Sequence, residues 1–196
     1  SGNMVIDMGG GTCDIAVLSL GDIVASQSIR MAGDKLNTDI ANYIKDKHGL
    51  VIGEHTAEQI KIQIGTALPV DNPKKMDVRG RDVTSGMPRQ IETNENEIEE
   101  ALHDTLQQIV KAAISVLEVV PPELASDIID RGVILTGGTS LLNGVDKLFS
   151  DHLKVPVVVS QDPLDNVAKG AGEMLERMQK DAGNKGAKTS WFSRKK

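Results

Sequence analysis

Asp7-Met8-Gly9-Gly10-Gly11-Thr12 is the stretch that decides how this chain is read. It follows the apolar run Met4-Val5-Ile6 and precedes a second one, Ile15-Ala16-Val17-Leu18. A carboxylate at a strand end, three glycines and a hydroxyl suit a turn that wraps a phosphate beside a metal ion. Glycine lets the backbone approach closely and reach positive φ. Successive N–H groups then make an anion-binding nest. The carboxylate reaches Mg²⁺ through its water shell, because Mg²⁺ gives up water reluctantly. Here the glycines join strand to strand, whereas the P-loop and dinucleotide fingerprints lead from a strand into a helix. A plain hairpin turn is the competing reading of these six residues.

Working outward, the chain has 196 residues, enough for one large or two small domains with a core. Aromatic residues make up only 2% and hydrophobic residues 39%, so the core is aliphatic. Readers of single-stranded nucleic acid and aromatic cages depend on rings and are disfavoured. The net charge of −6 argues against general nucleic-acid binding. The charge is uneven. Residues 181–196 hold five basic residues and one acid, which leaves −10 on the rest. Cys13 is the only cysteine, so no internal disulfide forms, and it is expected to pack as a small apolar residue. No segment has the ~20 apolar residues of a membrane-spanning helix, and no signal peptide is visible.

Strands are expected over 3–8, 13–20 and 22–31, with a tight turn at Gly21-Asp22. Leu36, Ile40, Tyr43 and Ile44 recur at helical spacing from Asp34 to a stop at Gly49. A second helix runs from Thr56, its expected N-cap, to Ile64, and Gly65 ends it. Short alternating runs within 66–93 suggest a small β meander or ribbon. Asn94 or Asn96 then caps a long helix reaching Glu118, and Pro121-Pro122 breaks it and opens a short one. Val133-Ile134-Leu135 is a buried strand, followed by a helix with Leu142, Val145, Leu148 and Phe149 inward, and then a strand over 155–159. A last helix is expected over 165–179 and a disordered basic tail over 181–196.

Three further motifs carry chemistry. Thr136-Gly137-Gly138-Thr139 follows its strand directly, a layout that brings bare backbone against a ring or phosphate. Its alternative is a turn in which Thr139 is an N-cap. Glu58 and Lys61 lie three apart and share a helix face, suited to ribose hydroxyls and a purine edge. A solvated ion pair is the alternative, worth about 0.3–0.5 kcal/mol. Ala32-Gly33-Asp34 sits at a strand–helix junction, with capping as the plain role for Asp34.

In this order, the four motifs resemble the second half of the actin-like ATPase fold shared by actin, the Hsp70 chaperones and the sugar kinases. Within that superfamily the chain is similar to the bacterial actins, the MreB family. Pro122-Glu123-Leu124-Ala125-Ser126-Asp127-Ile128, Asp77-Val78-Arg79-Gly80-Arg81, and Val157-Val158-Val159 with Asp162-Pro163-Leu164 carry that closer likeness. It covers roughly residues 1–180.

The resemblance implies an α/β fold, the actin-like (ribonuclease H-like) half, with a mixed sheet flanked by helices. Residues 1–32 plus 128–180 would form the sheet subdomain, and 33–127 a small inserted α+β subdomain. Asp7 would hold the water shell of Mg²⁺, while Gly9, Gly10, Gly11 and Thr12 bind the β- and γ-phosphates of ATP or ADP. Gly137, Gly138 and Thr139 would lie against purine and ribose, Glu58 and Lys61 on ribose and adenine, and Gly33 and Asp34 at the closing junction. Asp165 is a loose match near the adenine. No catalytic residue is assigned to this chain, because the opposing phosphate loop and the water-positioning residue are expected upstream of Ser1. One wall of a phosphoryl-transfer site is a poor catalyst, since that chemistry depends on positioning.

For the whole protein the resemblance implies ATP-dependent self-assembly into filaments. These would lie in the cytoplasm at the inner face of the membrane, with the cell-wall synthesis machinery as partner, and would control rod shape. Trp191-Phe192 beside Arg194-Lys195-Lys196 offers a marginal membrane contact, against the plainer reading of a solubilising end. A metabolite kinase, an Hsp70-like ATPase and a non-catalytic docking module are the competing functions.

Overall fold

A computed structural model describes residues 1–160. The expected helix over 165–179, Asp165 and the tail with Trp191-Phe192 lie outside the described residues. The continuous apolar runs Met4-Val5-Ile6 and Ile15-Ala16-Val17-Leu18 build β1 (Gly2–Met8) and β2 (Cys13–Ser19), and a strand with one exposed face builds β3 (Asp22–Ile29). All three are antiparallel neighbours. Ser19 pairs with Asp22, so the turn between β2 and β3 is Leu20-Gly21, one residue earlier than expected. Both of its residues have positive φ, 49° and 86°. That is the twist-matched two-residue hairpin, and it needs a left-handed first residue as well as the glycine.

β7 (Val133–Thr136) and β8 (Val157–Val159) add in parallel on the other side of β1, giving the order β3-β2-β1-β7-β8. The sheet is therefore mixed, with β1 at its centre. Met4, Ile6 and Met8 face the main core, and Val5 joins Ala16 and Leu18 on the opposite face. A strand buried on both faces reads as a continuous apolar run, as Met4-Val5-Ile6 does. The parallel additions need crossovers, supplied before β7 by α4 (Pro122–Arg131) and before β8 by α5 (Val145–Leu153).

Between β3 and α4 the chain makes α1 (Gly33–His48), β4 (Leu50–Val51), α2 (Glu54–Ile64), β5 (Lys75–Asp82), β6 (Pro88–Asn94) and α3 (Glu95–Glu118). The short strands form a second antiparallel sheet, β4-β5-β6, in which β5 and β6 fall in the stretch expected to make a meander or ribbon and β4 joins from before it. Asn94 caps α3, its Oδ1 accepting from the Glu97 N–H at 3.0 Å. Asn96 instead clasps the backbone of Val70, accepting from its N–H at 2.9 Å and donating to its carbonyl at 3.0 Å. α2 (Glu54–Ile64) is capped by Gly53, three residues before the expected cap Thr56, with Glu54 in the first turn where a carboxylate suits the helix dipole. α3 packs on β2 and β3 as well as on α1, and one apolar cluster runs from the large sheet to Val78 and Ile91 of the small one. Thr105 of α3 donates to Asp39 of α1 at 2.5 Å, and Lys35 pairs with the same carboxylate.

Candidate nucleotide site

The turn after β1 closes on itself, with the Gly9 N–H donating to the Thr12 carbonyl at 3.1 Å. Its carbonyls are then taken up by distant parts of the chain. The Gly9 carbonyl accepts from the Gly33 N–H at 3.0 Å and from the Thr139 hydroxyl at 3.1 Å. The Gly10 carbonyl accepts from the Asp34 N–H at 2.8 Å. Three of the four motifs are thus tied to one glycine turn.

This arrangement corrects two expectations. Asp34 does not cap α1. The helix begins after Ala32 without a side-chain cap, because the glycine turn's carbonyls satisfy the first free N–H groups of the helix. The Asp34 carboxylate is left exposed, 3.6 Å from where a Cβ on Gly10 would stand. Nor does Thr139 cap the helix that follows it. Its hydroxyl is spent on Gly9, and α5 starts later, on Gly144.

Lys61 brings in the fourth motif. Its Nζ donates to the Gly33 carbonyl at 3.2 Å, and a Cβ on Gly33 would stand 3.2 Å from both Lys61 Nζ and Thr139 Oγ1. Two side-chain atoms and the Gly9 carbonyl crowd that spot, so a larger residue would have to push them aside. Burial lowers the Lys61 pKa, opposed by the charges of Glu58 and Asp34. Glu58 is exposed one turn earlier on α2, and among the described residues it forms no ion pair with Lys61.

Gly137 shows the tightest fit. Its φ is +88°, and a Cβ there would overlap the Met8 carbonyl and stand 2.7 Å from Asp7 Oδ1. Only glycine lets the second loop lie against the end of β1. By contrast, Cβ atoms added at Gly11 and Gly138 would meet nothing within 4 Å. These two glycines line open space, with Gly10, Gly11 and Gly138 all exposed.

One residue escaped the sequence reading. Asp14 pairs with Asp7 across β1 and β2 and is almost fully buried. Burial raises its pKa and Asp7 adds to the rise, while hydrogen bonds from Ser28 and Thr12 oppose it. The Thr12 hydroxyl donates to Asp14 Oδ2 at 3.2 Å, and Asp14 Oδ1 is buried without a hydrogen-bond partner. The signal was an acid inside the apolar run Cys13-Asp14-Ile15-Ala16-Val17. Cys13 itself is buried, and burial with the two neighbouring carboxylates pushes its thiol far up, so the thiolate is suppressed. It packs as an apolar residue, as expected.

Comparison with known proteins finds the family to which the chain is similar. The model of the MreB/Mbl protein family matches residues 1–183. The cell shape-determining protein Mbl of Bacillus subtilis (strain 168) is 57% identical over 180 residues, covering 92% of this chain and 54% of that protein. The cell shape-determining protein MreB of Escherichia coli (strain K12) is 47% identical over 184 residues, covering 94% and 53%. The chain therefore spans about half the length of the curated relatives it matches. Among solved structures, MreB5 of Spiroplasma citri bound to ADP superposes with a TM-score of 0.82 at 37% identity, covering 93% of this chain and 56% of that one. The MamK double helical filament, at 19% identity and a TM-score of 0.67 over 89% of this chain and 54% of that one, shares the fold. Glycine turns knotted at one point, an actin-like mixed sheet and these likenesses lead to one conclusion: the chain belongs to the MreB/Mbl family of bacterial actin homologues.

Proposed function

We propose that this chain is the C-terminal nucleotide-binding half of a bacterial actin that assembles into filaments with ATP and sets rod cell shape. The observation that carries the reading is the Gly9 carbonyl, shared by the Gly33 N–H and the Thr139 hydroxyl. It draws together residues from three distant parts of the chain around exposed glycine backbone, and nothing in a plain hairpin turn calls for that.

The residues present fit a magnesium nucleotide. Gly10, Gly11 and Thr12 offer backbone N–H groups to phosphate oxygens, in a turn shaped by the Gly9 N–H on the Thr12 carbonyl and by the Thr12 hydroxyl on Asp14. The open space at Gly11 and Gly138 admits a ligand against bare backbone. Asp7 suits the water shell of Mg²⁺, which is commonly held by one or two carboxylates plus phosphates. Among the described residues no group of three or more His, Cys, Asp and Glu side chains gathers, so a caged ion is not offered. Gly137, Gly138 and Thr139 take the purine and ribose side, with Glu58, Lys61, Gly33 and Asp34 closing it. The bound metal would neutralise charge on the phosphates. This chain's part is to bind and orient them.

The division into a sheet subdomain, 1–32 plus 128–180, and an insertion, 33–127, belongs to the same reading. So do self-association into filaments and a place at the inner face of the membrane beside the cell-wall synthesis machinery. MreB5 bound to ADP and to AMPPNP and the MamK filament support the nucleotide and the assembly. Titration of a fluorescent ATP analogue against this chain and against the longer protein tests it. Weak but saturable binding by this chain, with turnover confined to the longer protein, is expected. Equal turnover, or no binding by the folded chain, refutes it.

A further inference from the structure

We propose that the groove between β3 and α3 is a docking site for an extended acidic peptide of a partner protein, which adds a strand to the edge of the large sheet. Among the described residues β3 pairs only with β2, so its outer edge carries backbone groups that no described strand pairs. Beside that edge lies an open groove of about 470 Å³. One wall is the end of β3, and the other is a single stripe of α3. Gln108, Lys111, Ala112 and Ser115 are spaced i, i+3, i+4 and i+7, so they line up along the helix facing the strand. A strand edge running along a helix is the shape in which peptides bind by strand addition.

The floor is apolar, with half-buried Ile29 and Met31 against buried Ala112. Alternate side chains of an extended peptide have a surface to rest on there. The rims are cationic. Arg30 and Lys111 are both exposed, and among the described residues neither forms an ion pair or a side-chain hydrogen bond. On α3, Lys111 has no acid three or four residues away in either direction, having Gln107, Gln108, Ile114 and Ser115 instead. These two cations are the charged residues among those that line the groove, on a body carrying −10 over residues 1–180. They give the groove its own sign and select an acidic partner. Gln27 and Gln108 add side-chain amides on either side, able to bond a peptide backbone. A second copy of this chain suits the seam less well, because a two-fold pair across β3 would bring Lys111 and Arg30 towards their own like charges.

The test is fluorescence anisotropy on the whole chain with labelled Glu-Val-Thr-Val-Asp, its Lys-Val-Thr-Val-Lys counterpart, and an acidic version with N-methylated backbone. The acidic peptide is expected to bind. The basic and N-methylated versions and the R30E/K111E variant should each be weaker by about tenfold or more. Both substituted residues are exposed, and an unchanged thermal melt of the variant shows that its fold is intact. Hydrogen exchange should slow at alternate amides of β3 when the acidic peptide is bound. Equal binding of acidic and basic peptides, no loss on N-methylation, or no binding by the folded chain overturns the proposal. So does sedimentation showing that β3 is occupied by a second copy.

Discussion

Single atoms decide which glycines the fold requires and which are left facing open space. Gly137 has a left-handed φ and a Cβ position already taken by the Met8 carbonyl. Gly137→Ala should therefore destabilise the chain by at least about 2 kcal/mol, read as a lowered urea midpoint. Gly138 faces open space at ordinary φ, so Gly138→Ala should leave stability within about 0.5 kcal/mol. The same change should weaken binding of the ATP analogue, because a methyl group would then stand where the ligand lies. If Gly138→Ala binds as tightly as the parent, the second loop is not part of the site. Asp14 supplies a pH test. Its pKa is raised in the fold, so ionisation works against folding. That penalty is absent below the unfolded pKa, near 3.9, and grows as pH rises through the folded value. Asp14→Asn should raise the melting temperature at pH 7 to 8, with the gain shrinking to nothing near pH 3.5. A constant gain at every pH would mean that charge is not its cause.

At the level of elements, the sequence shows periodicity well and partnership poorly. The long helix ends at Glu118 as its apolar period indicates, because Leu102, Leu106, Ile109, Ala113 and Val116 keep one buried face. The central strands are equally legible, since a run buried on both sides has no polar interruption. Asp14, almost fully buried inside the apolar run of β2, is the exception. What the sequence leaves open is the use of each polar side chain. Asn94 and Asn96 are equivalent as letters. Only the approach of Val70 in space assigns one to the loop and leaves the other to the helix. Likewise the start of α1 needs no polar cap once the Gly9 and Gly10 carbonyls reach it, a contact spanning some two dozen residues. Asn94→Ala should cost about 1 kcal/mol of stability, seen in denaturant melts. Asn96→Ala should loosen the 68–73 loop instead, visible as faster amide exchange at Val70.

Across the whole molecule, the proposed site lies where both sheets are tied together. α1 begins on the glycine turn of the large sheet and leads into β4 of the small one. Nucleotide added in excess of its dissociation constant should therefore raise the melting temperature of both sheets together, by about 2.7 kcal/mol of stabilisation at a hundredfold excess. Separate transitions for the two sheets, with only one shifted, would show that α1 and α3 do not couple them. The lone thiol has a practical consequence. Cys13 is fully enclosed and held in its protonated form, so it is blind to maleimides while the chain is folded. A dye or spin label placed on an introduced cysteine, for example Ser85→Cys at the β5–β6 tip, would report from a single known address. Slow reaction at Cys13 would then serve as a built-in clock for how often the interior opens.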